Sequence, residues 1–242
     1  TTKIMIEEPS QAFPYKPPTD EIKNRYKQIF GMTMKVKHRL IKVLFDKLFS
    51  SLLLFLAAPL LLLIKLLYIL EGFIIPDNKG PMIYSYDAVS HGETFHKYKM
   101  RVIKVRCVDE ELSAKGSWLA HAKEWDPACR TYTGSIVKKF YLDELPQLYS
   151  ILIGDMSFVG PRPLSKLHYD RDLSQGNVTR KIIRGGLLGL GHIHKGKSDF
   201  GDPIYEYQYA EVYINGSSLS LLLLDIKIIV KGIILVLKGG GH

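Results

Sequence analysis

Apolar residues crowd into one run, Leu48–Leu70 (LFSSLLLFLAAPLLLLIKLLYIL), and are patterned more sparsely elsewhere. The run is about long enough to cross a bilayer core. Pro59 sits near its centre and Lys65 interrupts its second half. Proline removes one backbone hydrogen bond and clashes one turn back, so it kinks a helix. Three readings stay open: a span, a re-entrant hairpin that dips in and returns, or a buried core helix. The flanks bear on the choice. Lys35, Lys37, Arg39, Lys42 and Lys47 precede the run; Lys79, Lys97, Lys99, Arg101, Lys104 and Arg106 follow it. Positive residues favour the cytoplasmic side, so both ends want the same side, which favours the hairpin. Just upstream, Val36, Leu40, Val43 and Leu44 fall at helical spacing among the basic residues, as in a helix lying on anionic headgroups.

Other patterns predict smaller elements. Residues 1–34 are Pro-rich and charged and read as a flexible tail, with one short helix that Thr19-Asp20 would cap. No signal peptide is expected, because the apolar run comes late and no small-residue cleavage site follows it. Ile83–Tyr86 and Thr94–Met100 read as strands of a hairpin around His91-Gly92. Residues 109–135 read as irregular, with a short helix. Leu142, Leu145, Leu148, Tyr149 and Leu152 form one helical stripe. Residues 185–201 are glycine-rich without a nucleotide-binding fingerprint and read as loop. Leu219–Leu237 is apolar but carries Asp225, Lys227 and Lys231, which predicts an amphipathic helix on the core or the membrane surface. Gly239–Gly241 reads as a frayed end.

The 242 residues carry 33 Lys+Arg against 24 Asp+Glu, a net charge of +9. That surplus suits nucleic acid, an anionic lipid surface or a phosphorylated substrate. No nucleic-acid-binding fold motif accompanies it, so no nucleic-acid partner is expected. Cys107 and Cys129 match no metal spacing or disulfide framework and read as two reduced thiols. His192 and His194 alternate as strand neighbours would, without a third ligand nearby.

The chemistry concentrates in Leu142–Leu164 (LDELPQLYSILIGDMSFVGPRPL). Asp143 and Glu144 sit at an apparent helix start with Pro146 just inside, which describes an ordinary N-cap. The same geometry suits an ionised nucleophile: a free carboxylate can attack a phosphoanhydride, and its neighbour can hold a divalent cation. Gly160-Pro161-Arg162-Pro163 stiffens the backbone around one arginine suited to bidentate phosphate contact, or is a rigid loop with a solvated side chain. Lys99 and Arg101 alternate on one strand face, toward phosphate or solvent.

Leu142–Leu164 resembles the C-terminal signature of the bacterial sugar transferases, monotopic phosphoglycosyl transferases that use polyprenol phosphate. The resemblance extends over most of residues 38–240. Asp46 and Pro59 resemble positions of that family's re-entrant membrane helix. Phe95–Arg101 is similar to its F-x-x-Y-K-F-R strand, and Tyr213, Asn215, Asp225, Lys227, Ile228 and Lys238 to its closing pattern. Departures are Ala58 in place of serine before the proline, Ala88 and Ser90 in place of arginine and glycine, and the segment Arg184–His192, which keeps the arginine and two glycines but loses proline, threonine and glutamine.

The resemblance implies an α+β, mostly helical fold with a re-entrant membrane helix hairpin, surface-lying amphipathic helices and a small β-hairpin. Its expected parts are a tail over 1–34, a membrane-associated helix over 35–72 and a cytosolic catalytic domain over 73–242. It implies transfer of a sugar 1-phosphate from a UDP-sugar to polyprenyl phosphate through an aspartyl-phosphosugar on Asp143. That step would initiate surface glycan synthesis on the cytoplasmic face of a bacterial inner membrane. Glu144 and Mg²⁺ would neutralise charge, with Asp143 also a metal ligand, and Lys99, Arg101, Lys138, Arg162 and Arg184 on phosphates. Partners implied are the UDP-sugar, polyprenyl phosphate and the bilayer, with self-association left open. The competing reading is a catalytically inactive, membrane-anchored scaffold of a glycan assembly complex.

Overall fold

The long apolar run folds as one helix. In the computed structural model, which describes residues 16–194 and 200–237, it lies within α3, Leu40–Ile74, and Pro59 sits inside that helix. At about 1.5 Å per residue its 35 residues extend roughly 52 Å, well beyond a bilayer core of about 30 Å. Only 11% of its most apolar window is buried, and Phe55, Leu56, Leu62 and Phe73 are exposed. That removes the buried-core-helix reading. Among the described residues it is the one helix long and apolar enough to cross a membrane.

The described chain divides into two compact units. One comprises Phe49–Asp87 and His96–Ser150; the other comprises 16–48, Ala88–Phe95 and 151–237. The division falls within α3 and within both strands of the hairpin.

In the first unit the far end of α3 is tied down by polar side chains. Glu71 accepts the backbone N–H groups of Tyr132 (2.7 Å) and Thr133 (2.8 Å) and the amide of Asn78 (2.6 Å). It thereby satisfies the N-terminal donors of α5, Tyr132–Lys139, where a negative charge also suits the helix dipole. Ile64, Tyr68, Met100 and Val137 form a core cluster, and Leu142 and Leu145 pack on it. The hairpin strands are β1, Ile83–Ser90, and β2, Glu93–Met100. His91 and Gly92 both adopt positive φ (55° and 68°), the two-residue turn whose twist matches paired strands.

Cys107 and Cys129 are joined as a disulfide, which corrects the expectation of reduced thiols. Their Cα atoms lie 5.9 Å apart, within the range such a bond spans. The pairing of Ile103 with Arg130, and Lys104 N–H on the Cys129 carbonyl, bring the two together. Spacing along the chain carries no trace of that contact. The bridge closes a loop holding α4, Glu110–Ala114, and a 3-10 segment, Trp118–Trp125.

In the second unit Thr19 caps α1, Asp20–Arg25, as its sequence predicts, and α2, Lys27–Phe30, follows. Ile22, Tyr26 and Ile29 are buried, and Tyr26 and Phe30 stack on Tyr207 of α9, Ile204–Asn215. This segment is therefore packed, not loose. Between α5 and α9 come α6, Gln147–Ile153; β3, Ser157–Val159; β4, Leu164–Ser165; α7, Lys166–Ser174; α8, Thr179–Ile182; and β5, Gly186–Leu188. β4 extends the hairpin to a three-stranded sheet in the order β2-β1-β4, with Ala88 opposite Ser165 and Val89 opposite Leu164. β3 pairs in parallel with β5, Ser157 opposite Gly186.

α10, Ser218–Leu237, closes the unit. Its inner face buries Leu221, Asp225, Ile228 and Ile229; Leu223, Ile226, Val230 and Ile233 face outward beside exposed Lys227 and Lys231. Asp225 is ion-paired to Lys42 (2.5 Å) and accepts the Tyr209 hydroxyl (2.9 Å). The expected frayed end and Lys238 lie outside the described residues.

Candidate active site

Asp143 reaches its position through a strained turn. Tyr141 at the end of α5 is left-handed (φ 57°), unusual for a residue with a side chain. The chain reverses there and enters a single 3-10 turn, Leu142–Glu144, before α6 starts at Gln147. Asp143 and Glu144 are thus not the N-cap of a helix, which corrects that expectation. Leu142 and Leu145 pin the turn by packing on the core cluster, so the two acids between them project elsewhere.

Lysines, not a helix dipole, meet these acids. Lys99 Nζ lies 3.4 Å from Asp143 Oδ2 and 3.6 Å from Glu144 Oε1. Lys138, in the last turn of α5, donates to Asp143 Oδ2 (3.4 Å) and to Glu124 Oε1 (3.1 Å). The Lys138 hydrogen bond and the ion pair from Lys99 both fall on Oδ2. The Asp143 side chain is 3% exposed and that of Glu144 is 23%. Burial disfavours the Lys99 ammonium, but Glu124, Asp143 and Glu144 outweigh it and hold its pKa well above the usual lysine value. Burial pushes the Glu124 carboxyl up, and Lys99 and Lys138 more than offset this, so it stays below the usual range. The result is a desolvated cluster of three carboxylates and two ammoniums, where charges interact far more strongly than in water.

Glu124 and Trp125 are the site residues that sequence reasoning missed. Lys138 Nζ stands 5.0 Å over the Trp125 ring. Nearby His121 stacks on Tyr84 at 3.6 Å. These residues come from a short 3-10 segment in a polar stretch that reads as irregular, and only tertiary packing marks them.

The other expected phosphate ligands are placed differently. Arg101 is buried and donates to the carbonyls of Pro81 (2.7 Å), Ile103 (2.9 Å) and Asn78 (3.0 Å). Arg162 and Arg184 belong to the second unit. There Gly160-Pro161-Arg162-Pro163 nests on the glycine-rich segment. A Cβ on Gly186 would meet Gly160 N at 2.0 Å, and one on Gly160 would meet the Arg184 carbonyl at 2.5 Å. The glycines expected as loop thus include a strand packed backbone to backbone. Arg162 lines a cavity there with Gly160, Pro161, Gly189, Leu190 and His192. Burial pulls the Arg184 pKa down, and Tyr213, Asp46 and Asp155 pull it back up. Asp46 is buried in the same unit and accepts Phe158 N–H (3.2 Å). His192 and His194 lie on a 3-10 turn rather than a strand, and Gly189 N–H donates to His192 Nδ1.

Among the described residues no group of three or more His, Cys, Asp or Glu is placed to hold a metal by itself. Asp143 and Glu144 are two adjacent hard oxygen donors. Mg²⁺ commonly takes one or two carboxylates and completes its shell with water and substrate phosphate, so this pair fits that donor set.

The structure thus holds a helix long and apolar enough to cross a membrane and a buried carboxylate-lysine cluster on a short turn. The chain matches the bacterial sugar transferase family over residues 37–239, and it belongs to that family. It is 30% identical over 207 residues to the UDP-glucose:undecaprenyl-phosphate glucose-1-phosphate transferase of Klebsiella pneumoniae, covering 83% of this chain and 41% of that protein. It is 28% identical to the undecaprenyl-phosphate galactose phosphotransferase of Salmonella typhimurium (81% of this chain, 42% of that protein). It is 33% identical to a putative undecaprenyl-phosphate N-acetylgalactosaminyl 1-phosphate transferase of Bacillus subtilis (71% of this chain, 90% of that protein). The chain thus spans about two fifths of the first two relatives and most of the third.

Proposed function

We propose that this protein transfers a sugar 1-phosphate from a UDP-sugar to a polyprenyl phosphate, in two displacements through Asp143. The observation that carries this reading is the Asp143 carboxylate held by Lys99 and Lys138 on one oxygen. The names of the relatives supply the substrate classes.

In the first displacement Asp143 Oδ1 attacks the β-phosphorus of the UDP-sugar. The bond from that phosphorus to the bridging oxygen breaks, and UMP leaves with the electron pair. In the second, an oxygen of polyprenyl phosphate attacks the phosphorus of the aspartyl phosphosugar. The Asp143 carboxylate leaves, and polyprenyl diphosphosugar is released. Lys99 and Lys138 face the charge that develops on the phosphoryl oxygens, an arrangement that stabilises a transition state without reorganisation. Asp143 and Glu144 would hold Mg²⁺, which when bound supplies further neutralisation of the diphosphate.

The site faces lipid-borne substrate if α3 enters and leaves the bilayer on one face, kinked at Pro59. Pro59 within the helix and the basic residues at both ends support that geometry. The outward apolar face of α10, flanked by Lys227 and Lys231, suits a helix lying on a membrane surface.

The test is UMP release from a panel of UDP-sugars with Mg²⁺ and a short-chain polyprenyl phosphate in nanodiscs. Release that requires Asp143 is expected; no release from any sugar overturns the reading in favour of an inactive scaffold. For topology, tags before Lys35 and after Lys79 are expected on one side of the membrane; opposite sides rule out the re-entrant path.

A further inference from the structure

We infer that Glu124 is a positioning residue for Lys138, holding its ammonium between two carboxylates so that it serves Asp143 Oδ2 without closing over the nucleophilic oxygen; this rests on the reading of Asp143 just given. Four observations converge. Lys138 Nζ is nearer Glu124 (3.1 Å) than Asp143 (3.4 Å). Both side chains are largely shielded, 15% and 13% exposed, so their attraction is little screened. The Trp125 ring covers the same ammonium and limits its rotamers. The segment presenting Glu124 is itself fixed: Ser117 caps it, Arg130 Nε donates to the Glu124 carbonyl (2.7 Å), and the Cys107–Cys129 bond closes the loop around it.

A lysine chain has four rotatable bonds and loses much freedom when held. Without Glu124, the Lys138 ammonium has Asp143 as its remaining carboxylate and is free to swing toward either oxygen. Glu124 does not touch the reacting atoms in this account; it acts through Lys138.

The experiment is a double-mutant cycle with a chemical readout beside it. Glu124→Gln is expected to slow single-turnover UMP release about 10- to 100-fold, as a misplaced catalytic group does, while KM for the UDP-sugar changes less than about twofold. Glu124→Asp, which keeps the charge, is expected to recover most of the rate. In a Lys138→Met background the further effect of Glu124→Gln is expected to shrink to the small part that its attraction to Lys99 carries. In parallel, acylation of Lys138 by an amine-reactive reagent, read by peptide mass spectrometry, is expected to rise severalfold in Glu124→Gln. A wild-type rate in Glu124→Gln, or a loss that persists in full in Lys138→Met, overturns the inference. If the wild type releases no UMP, the proposed function fails separately, and the labelling decides this inference: unchanged labelling of Lys138 overturns it.

Discussion

Lys42→Met isolates the buried pair that joins the start of α3 to α10. Lys42 and Asp225 are 5% and 0% exposed, and their charged atoms are 2.5 Å apart. Methionine preserves most of the volume but leaves the Asp225 carboxylate with Tyr209 OH as its remaining partner. Removing one member of a buried ion pair costs about 3–5 kcal/mol, because the other charge is stranded. For a chain of this size about 1 kcal/mol shifts Tm by roughly 2–4 °C, so the expected fall is roughly 6–20 °C. The loss also has a pH signature. Burial already pushes the Asp225 pKa up, and Lys42 and the Tyr209 hydroxyl pull it down. Without Lys42 the carboxyl rises further. A carboxyl whose folded pKa exceeds its unfolded value destabilises the fold as pH rises above the unfolded pKa of about 4. The penalty is therefore larger at pH 8 than at pH 5. The assay is Trp fluorescence during heating in nanodiscs, at both pH values. A loss below about 1 kcal/mol, or one equal at both pH values, refutes the reasoning.

Three further outcomes follow from the same structure. Lys99→Met removes the ammonium shared by Asp143 and Glu144 and is expected to slow UMP release about 10²-fold, with Tm read alongside; an unchanged rate contradicts its electrostatic role. Gly186→Ala places a Cβ 2.0 Å from Gly160 N, so it is expected to lower Tm and misplace Arg162; normal stability contradicts the backbone contact between the two segments. Asp172, beside Arg180, has its pKa pushed up to about 6 by burial. Its raised value means stability falls as pH rises from about 4 to 6, and Asp172→Asn is expected to flatten that window in a Tm-versus-pH series.

Local signals were legible in the sequence where one element suffices to make them. The cap at Thr19 and the turn at His91-Gly92 are both fixed by short-range chemistry. What needed the fold is what separate segments bring together. Glu124 joins Lys138 across fourteen positions through a short 3-10 segment, and Cys107 meets Cys129 across twenty-two. Asp143 looked like an N-cap because acid followed by Pro146 is what helix starts contain; the left-handed Tyr141 instead made a 3-10 turn. Arg101 followed the same strand alternation as Lys99, yet its partners are carbonyls that only the fold supplies. Alternation gives the face of a strand, not what faces it.

The central claim is that Asp143 carries the phosphosugar. Intact-mass analysis after mixing the protein with a reactive UDP-sugar, without polyprenyl phosphate, tests it most directly. Expected are a mass increase of one sugar phosphate on the peptide containing Asp143, one UMP released per adduct, loss of the adduct on adding polyprenyl phosphate, and none in Asp143→Asn. UMP release only when both substrates are present, with no adduct and with Asp143→Asn still active, would contradict it.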